Sequence, residues 1–112
     1  MINALQAAKI AKEALEDKLG LDISILDLKG LSNIADCFVI ASGNNINQLR
    51  AMADNVEEKL FAAGYKLHHS EGYNGANWIL LDYGDLIIHL FNKEERDFYS
   101  LDRVWGDAKK VD

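Results

Sequence analysis

Asp82, Asp85 and His89 are the side chains in this chain whose types and spacing could do chemistry. Two carboxylates beside an imidazole can hold a divalent cation or divide acid and base roles between them. That arrangement would suit a small metal-dependent nucleotidyltransferase or phosphohydrolase. The same three residues lie between two large aromatics, Trp78 and Phe91. Aromatic anchors rimmed by charge are also what protein interfaces use. Spacing alone leaves catalysis and recognition open.

Other candidates are weaker. His68, His69 and Glu71 have ligand chemistry, but neighbours on a strand point to opposite faces, so only His69 and Glu71 would share one. Two ligands do not close a metal site, and solvated residues at a loop edge are the simpler reading. Cys37 follows Asp36 in an apolar run. A neighbouring carboxylate and burial both disfavour the thiolate, so a structural cysteine is expected. Ser42-Gly43-Asn44-Asn45 precedes a helical pattern, where amide groups attract anions. It lacks the glycines and the Lys-Ser/Thr pair of a phosphate loop, and reads as a turn that opens a helix.

The element that must position the acids and the histidine is a β-hairpin over residues 78–91, two apolar runs joined at Asp82-Tyr83-Gly84-Asp85. Alternation puts Trp78 with Leu80 on one face of the first strand, and Ile87, His89 and Phe91 on one face of the second. Both faces are apolar. Either the sheet is covered on both sides with His89 as a core histidine, or Trp78 and Phe91 form an exposed patch.

Upstream, Leu5, Ala8, Ala11, Leu15 and Leu19 have helical spacing over residues 2–19, with Gly20 placed for the C-terminal cap. Residues 21–28 read as a strand. Cys37-Phe38-Val39-Ile40-Ala41 has no polar face and predicts a central strand covered on both sides. Ile46, Leu49, Ala53, Val56 and Leu60 mark a second helix, with Asn45 and Gln48 as a capping pair and Gly64 at its end. Residues 65–70 predict a third strand and residues 71–77 a loop. Asn92 and Glu95 cap a last helix carrying Phe98, Leu101, Val104 and Trp105. The expected fold is α/β, a mixed sheet of about five strands flanked by helices, in a single domain over residues 1–112.

The chain carries 12 basic and 18 acidic residues, a net charge of −6, with the basic residues scattered among acids. A nucleic-acid binder would show a basic face, so direct sequence-specific nucleic-acid binding is not expected, and a basic protein is the better partner. No apolar run is long enough for a membrane span. The first residues lack the features of a signal or targeting peptide, and the lone cysteine forms no internal disulfide, so a cytoplasmic protein is expected.

The ordered motifs carry a resemblance. Ile34-Ala35-Asp36-Cys37-Phe38-Val39-Ile40-Ala41-Ser42-Gly43-Asn44, then Glu71-Gly72-Tyr73, then Ala76-Asn77-Trp78-Ile79-Leu80-Leu81-Asp82-Tyr83-Gly84-Asp85 are its main pieces. His89-Leu90-Phe91, Arg96-Asp97-Phe98-Tyr99-Ser100-Leu101-Asp102 and Trp105-Gly106-Asp107-Ala108 complete it. In this order the chain resembles, over nearly its whole length, the ribosomal silencing factors, also called Iojap-related proteins.

The resemblance implies a translational repressor and not an enzyme, without a cofactor. Such proteins bind the large ribosomal subunit through its fourteenth protein and sterically block the small subunit, especially when nutrients are scarce. It also implies a nucleotidyltransferase-like fold. Catalytic members of that fold use a Gly-Ser pair and an Asp-x-Asp pair; here Gly43-Asn44 stands instead, and Asp82 and Asp85 flank a turn. On this reading Trp78, Leu80, His89 and Phe91 make the apolar contact, and Glu71, Asp82 and Asp85 pair with basic residues of the partner. Arg96, Tyr99 and Trp105 brace the last helix. A homodimer built on an exposed sheet edge or patch is a third reading.

Overall fold

A computed structural model describes residues 2–30, 35–75 and 78–93, and the backbone of residues 109–111. The elements are α1 (Ala4–Asp17), β1 (Leu21–Asp27), β2 (Cys37–Gly43), α2 (Ile46–Ala62), β3 (His69–Glu71), β4 (Trp78–Asp82), β5 (Leu86–Asn92) and β6 (Lys109–Val111). They form one mixed sheet in the order β3-β4-β5-β2-β1-β6. The central pair β2 and β5 is parallel and the other pairs are antiparallel. All seven residues of β2 are buried, as its unbroken apolar run predicts.

Both helices pack on one face of the sheet and on each other. The face of α1 that packs inward is nearly all alanine: Ala4, Ala7, Ala8, Ala11 and Ala14, closed by Leu15. Such small side chains let the helix axis approach its neighbours closely. Asn3 and Gln6 form a reciprocal capping box at its start, with bonds of 2.8 and 2.9 Å. At α2, Asn45 Oδ1 accepts from the Gln48 amide at 2.9 Å, as the capping pair predicts. The Gln48 side chain does more. Its Oε1 accepts from the Asn44 amide, and its Nε2 donates to the carbonyls of Lys18 and Leu19 at 3.1 and 3.0 Å. One side chain thereby ties the start of α2 to the end of α1.

The sheet's second face is also apolar. Leu26, Leu28, Phe38, Ile40, Ile87 and Phe91 are buried there in a cluster separate from the helix-side core, with Trp78 and Leu80 partly buried against it. Among the described residues no helix covers this face. The expected last helix, with Phe98, Leu101, Val104 and Trp105, and the bracing residues Arg96 and Tyr99, lie outside the described residues.

Three details differ from the sequence expectations. The third strand is His69–Glu71, so Glu71 sits in a strand and not in the loop. It pairs only opposite Leu80, Leu81 and Asp82, because β4 ends at Asp82 and leaves residues 65–68 no strand to pair with. A sixth strand, β6, adds to β1 beyond the five expected. Finally, the left-handed residue that ends α1 is Leu19, with φ 61°, and not Gly20.

Leu19 and Gly20 donate to the carbonyls of Glu16 and Leu15, the paired bonds of a Schellman ending. Gly20 is needed for space: an added Cβ would lie 3.1 Å from the Leu15 carbonyl and 3.3 Å from Met52. Leu19 itself is 79% exposed and gains little from burial. A left-handed conformation costs a branched residue about 1–2 kcal/mol, and glycine's extra chain entropy recovers about 0.5–1 of that for the unfolded state. Leu19→Gly is expected to raise the unfolding free energy by up to about 1 kcal/mol, read from urea denaturation; a loss of stability would contradict this account of the α1 ending.

Candidate binding surface

The hairpin places the singled-out residues by its register. Trp78 stands opposite Phe91, Leu80 opposite His89 and Asp82 opposite Ile87. Trp78, Leu80, His89 and Phe91 therefore share the sheet face away from the helices, as alternation predicts. Their rings form one stack. Trp78 lies 5.5 Å from Phe91 and 5.8 Å from His89 between centroids, nearly parallel to both. Phe38 of β2 adds an edge contact to His89 at 4.7 Å.

This face is less open than an aromatic docking patch requires. Phe91 is 0% and His89 5% exposed, so both rings lie beneath the surface of this face. Trp78 and Leu80 are half-buried. Period two says which side a residue faces, and tertiary packing decides whether that side is covered. His89 and Phe91 act as the floor on which Trp78 rests.

Trp78 Nε1 donates to His89 Nδ1 at 3.2 Å. That bond fixes the neutral tautomer, with the proton on Nε2. His89 Nε2 is buried with no hydrogen-bond partner among the described residues. Burial pushes the imidazole down to about 4, because the charged form is poorly solvated.

The acids have local work. Asp82 Oδ1 accepts from the Gly84 amide at 2.8 Å, fixing the turn in which Gly84 takes φ 91°. The Asp85 carboxylate accepts from the Tyr65 hydroxyl, and its backbone carbonyl accepts from the amides of Asp36 and Cys37 at 2.8 and 3.1 Å. Asp85 thus joins the hairpin turn to the start of β2. Burial, then the Asp85 bond, raises the Tyr65 phenol above its ordinary range. Neither carboxylate is aimed with His89 at a common point. The three sit in different settings: a turn, an exposed rim and a core.

The remaining candidates resolve simply. Glu71 is exposed and pairs with His69 at 3.2 Å. Among the described residues no three His, Cys, Asp or Glu side chains cluster so as to hold a metal. Burial, then Asp27, Asp36 and Asp85, pushes the Cys37 thiol up to about 11, which leaves it protonated and structural. In the Ser42–Asn45 turn the Asn44 and Gln48 amides are already bonded to side chains. Sequence reasoning passed over Tyr65 and Phe38. Phe38 was findable, because β2 has a strand's alternation even where both faces are apolar. Tyr65 had no local signal; its bond to Asp85 spans 20 residues.

The buried histidine makes a stability prediction. Its folded pKa is depressed below the unfolded value of about 6.5, so its contribution is present above that value and is lost as pH falls towards about 4. One extra proton bound by the unfolded chain gives a slope of about 1.4 kcal/mol per pH unit across that window. Urea unfolding at pH 6, 5.5 and 5 is expected to approach this slope, and His89→Gln to flatten it; equal slopes in the two proteins would contradict a buried neutral imidazole.

The comparisons with known proteins agree with one another. The ribosomal silencing factor RsfS of Bacillus subtilis is 39% identical over 111 residues, covering 99% of this chain and 94% of the relative. The Zymomonas mobilis protein of the same name is 43% identical over 104 residues, 93% of this chain and 78% of the relative. A crystal structure of a Chromobacterium violaceum protein superposes with a TM-score of 0.90 at 35% identity, covering 94% of this chain and 88% of the other. A Bacillus halodurans crystal structure gives 0.80 at 34% identity, covering 93% and 94%. The model of the family described as "Ribosomal silencing factor during starvation" matches residues 1–112. Family match, sequence relatives and solved folds coincide over the same stretch, and the chain belongs to the ribosomal silencing factor family.

Proposed function

We propose that this chain represses translation by binding the large ribosomal subunit through its fourteenth protein and sterically blocking the small subunit, chiefly under nutrient limitation. The observation that carries this reading is the family match over residues 1–112. One cytoplasmic domain that acts by occupying a surface, without catalysis, fits it. Among the described residues no helix is long and apolar enough to cross a membrane.

The geometry supports Trp78 as the anchor. An anchor should be large, partly desolvated and already rigid, so that little entropy is lost on docking. Trp78 meets this through the Phe91 stack and the bond to His89. Leu80 extends the apolar strip, and Glu71 lies opposite it on β3. Glu71 and Asp85 are exposed and Asp82 half-exposed. Rim acids with a chain charge of −6 suit a basic partner and raise its association rate. His89 and Phe91 contribute by holding Trp78, and not by direct contact.

Trp78 is also the practical probe. Phe91→Ala would cost about 3–5 kcal/mol of folding stability and confuse loss of binding with loss of fold. Trp78→Ala, checked for folding by circular dichroism, is expected to weaken large-subunit binding by about 2 kcal/mol or more, about thirtyfold. Glu71→Gln should cost less and act mainly on the association rate. In sucrose gradients the wild type should travel with large subunits and suppress the joined peak after small subunits are added. Undiminished joining with no cosedimentation would overturn the functional reading. Full activity in folded Trp78→Ala would overturn the anchor alone.

A further inference from the structure

The edge strand β3 stops before its partner does. Its ladder with β4 ends with Glu71 opposite Leu80, whereas the ladder between β4 and β5 continues to Trp78 opposite Phe91. Trp78 thus begins β4 beyond the reach of β3, and the chain that joins Glu71 to it must be placed by contacts other than that ladder. The connection starts with Gly72-Tyr73-Asn74-Gly75, whose two glycines take φ 85° and 148°. Glycine loses more freedom on ordering than any other residue, so this stretch is costly to hold still.

The holding contacts gather on Tyr73. Its ring packs against the helix-side core. Arg50 and Asp54, one turn apart on the same side of α2, grip the rest of it. Arg50 Nε donates to the Tyr73 carbonyl at 2.7 Å, and its guanidinium lies 5.5 Å from the centre of the Tyr73 ring. The Tyr73 hydroxyl donates to Asp54 Oδ2 at 3.0 Å. Backbone, ring face and hydroxyl of one residue are therefore all held from a single turn of α2. A lysine at position 50 would supply the charge without the planar group that donates and stacks at once.

We propose that Arg50 is a positioning residue for partner binding, which through Tyr73 holds the 72–75 connection against α2 and so sets Glu71 and Trp78 for their partner. This inference rests on the ribosomal reading given above. Glu71 and Trp78 lie on different strands at the two ends of that connection, so slack in it reaches both. If the connection kept this arrangement only a tenth of the time, affinity would fall about tenfold with every contact residue still in place. Arg50 is half-buried on α2, which packs on the helix-side core, whereas Trp78 and Leu80 pack on the cluster of the opposite face. It acts through Tyr73 and not by touching the partner.

The test joins ¹⁵N relaxation to large-subunit cosedimentation, with circular dichroism to confirm the fold. Order parameters over residues 72–75 are expected near about 0.85 in the wild type and below about 0.6 in Arg50→Ala. Binding should weaken about tenfold in Arg50→Ala, and Arg50→Lys should not restore it. In a Trp78→Ala background Arg50→Ala should cost less than in the wild type, because the contact it positions is gone. A connection that stays rigid in Arg50→Ala, undiminished binding by that variant, or full binding by Arg50→Lys would overturn the proposal. An equal cost in both backgrounds would make Arg50 an independent contact and overturn it too. Wild type that fails to travel with large subunits would instead overturn the ribosomal reading, and this inference with it.

Discussion

Two strands distant in the sequence, β2 and β5, run side by side and parallel, in register from Cys37 opposite Leu86 to Gly43 opposite Asn92. A parallel pair cannot be closed by a tight turn, so the chain between them must leave the sheet and return. It does so through α2, which covers one face, and then through β3 and β4, which extend the sheet. The Asp85 carbonyl pins the start of this pairing by accepting from Asp36 and Cys37. Slipping β5 by one residue would exchange its two apolar faces and move His89 to the helix side. The positions of the hairpin and of the aromatic stack both follow from that register.

The aromatic stack shows how a sheet can present a rigid side chain without a rigid loop. Trp78 opens β4, at the end of a strand where backbone restraint is weakest, yet its ring is held from the neighbouring strand by Phe91 and His89. An aliphatic residue at position 89 would pack but could not accept the indole proton. A histidine accepts it at the cost of a buried Nε2 that has no partner among the described residues, about 1–3 kcal/mol by comparison with other lost buried bonds. Spending stability on the orientation of one ring is reasonable only where that orientation is used. The burial of His89 and the partial exposure of Trp78 are thus two sides of one arrangement.

Much of this was legible from local pattern. The unbroken run at Cys37-Phe38-Val39-Ile40-Ala41 identified the central strand, and alternation put Trp78, Leu80, His89 and Phe91 on one face. Residues at the ends of elements were not so clear. Gly20 looked like the cap of α1 because glycine tolerates positive φ, but close packing against Leu15 and Met52 claims Gly20, and Leu19 takes the left-handed position. The exposure of the aromatic face was illegible for a different reason: a side chain's direction is local, while its covering belongs to the tertiary structure. Three residues, as in β6, carry too little periodicity to read. Family membership came from ordered motifs and owes nothing to these periodicities.

The acids of this chain divide by whether their oxygens are already in use. Asp82 and Asp85 accept bonds that hold a turn and a tyrosine, and Asp54 accepts from Tyr73 at 3.0 Å while Arg50 reaches the Tyr73 carbonyl at 2.7 Å. Asp54 thereby ties α2 to the loop before β4, Asp85 ties the hairpin to Tyr65, and Asp82 holds its own turn. Glu57 has no such bond among the described residues, although it is partly desolvated. A solvated surface acid needs no partner, because water screens and solvates it. A desolvated one does, and its cost persists until a donor arrives. Charge alone therefore does not tell which acids hold the fold; the bonds their oxygens accept do.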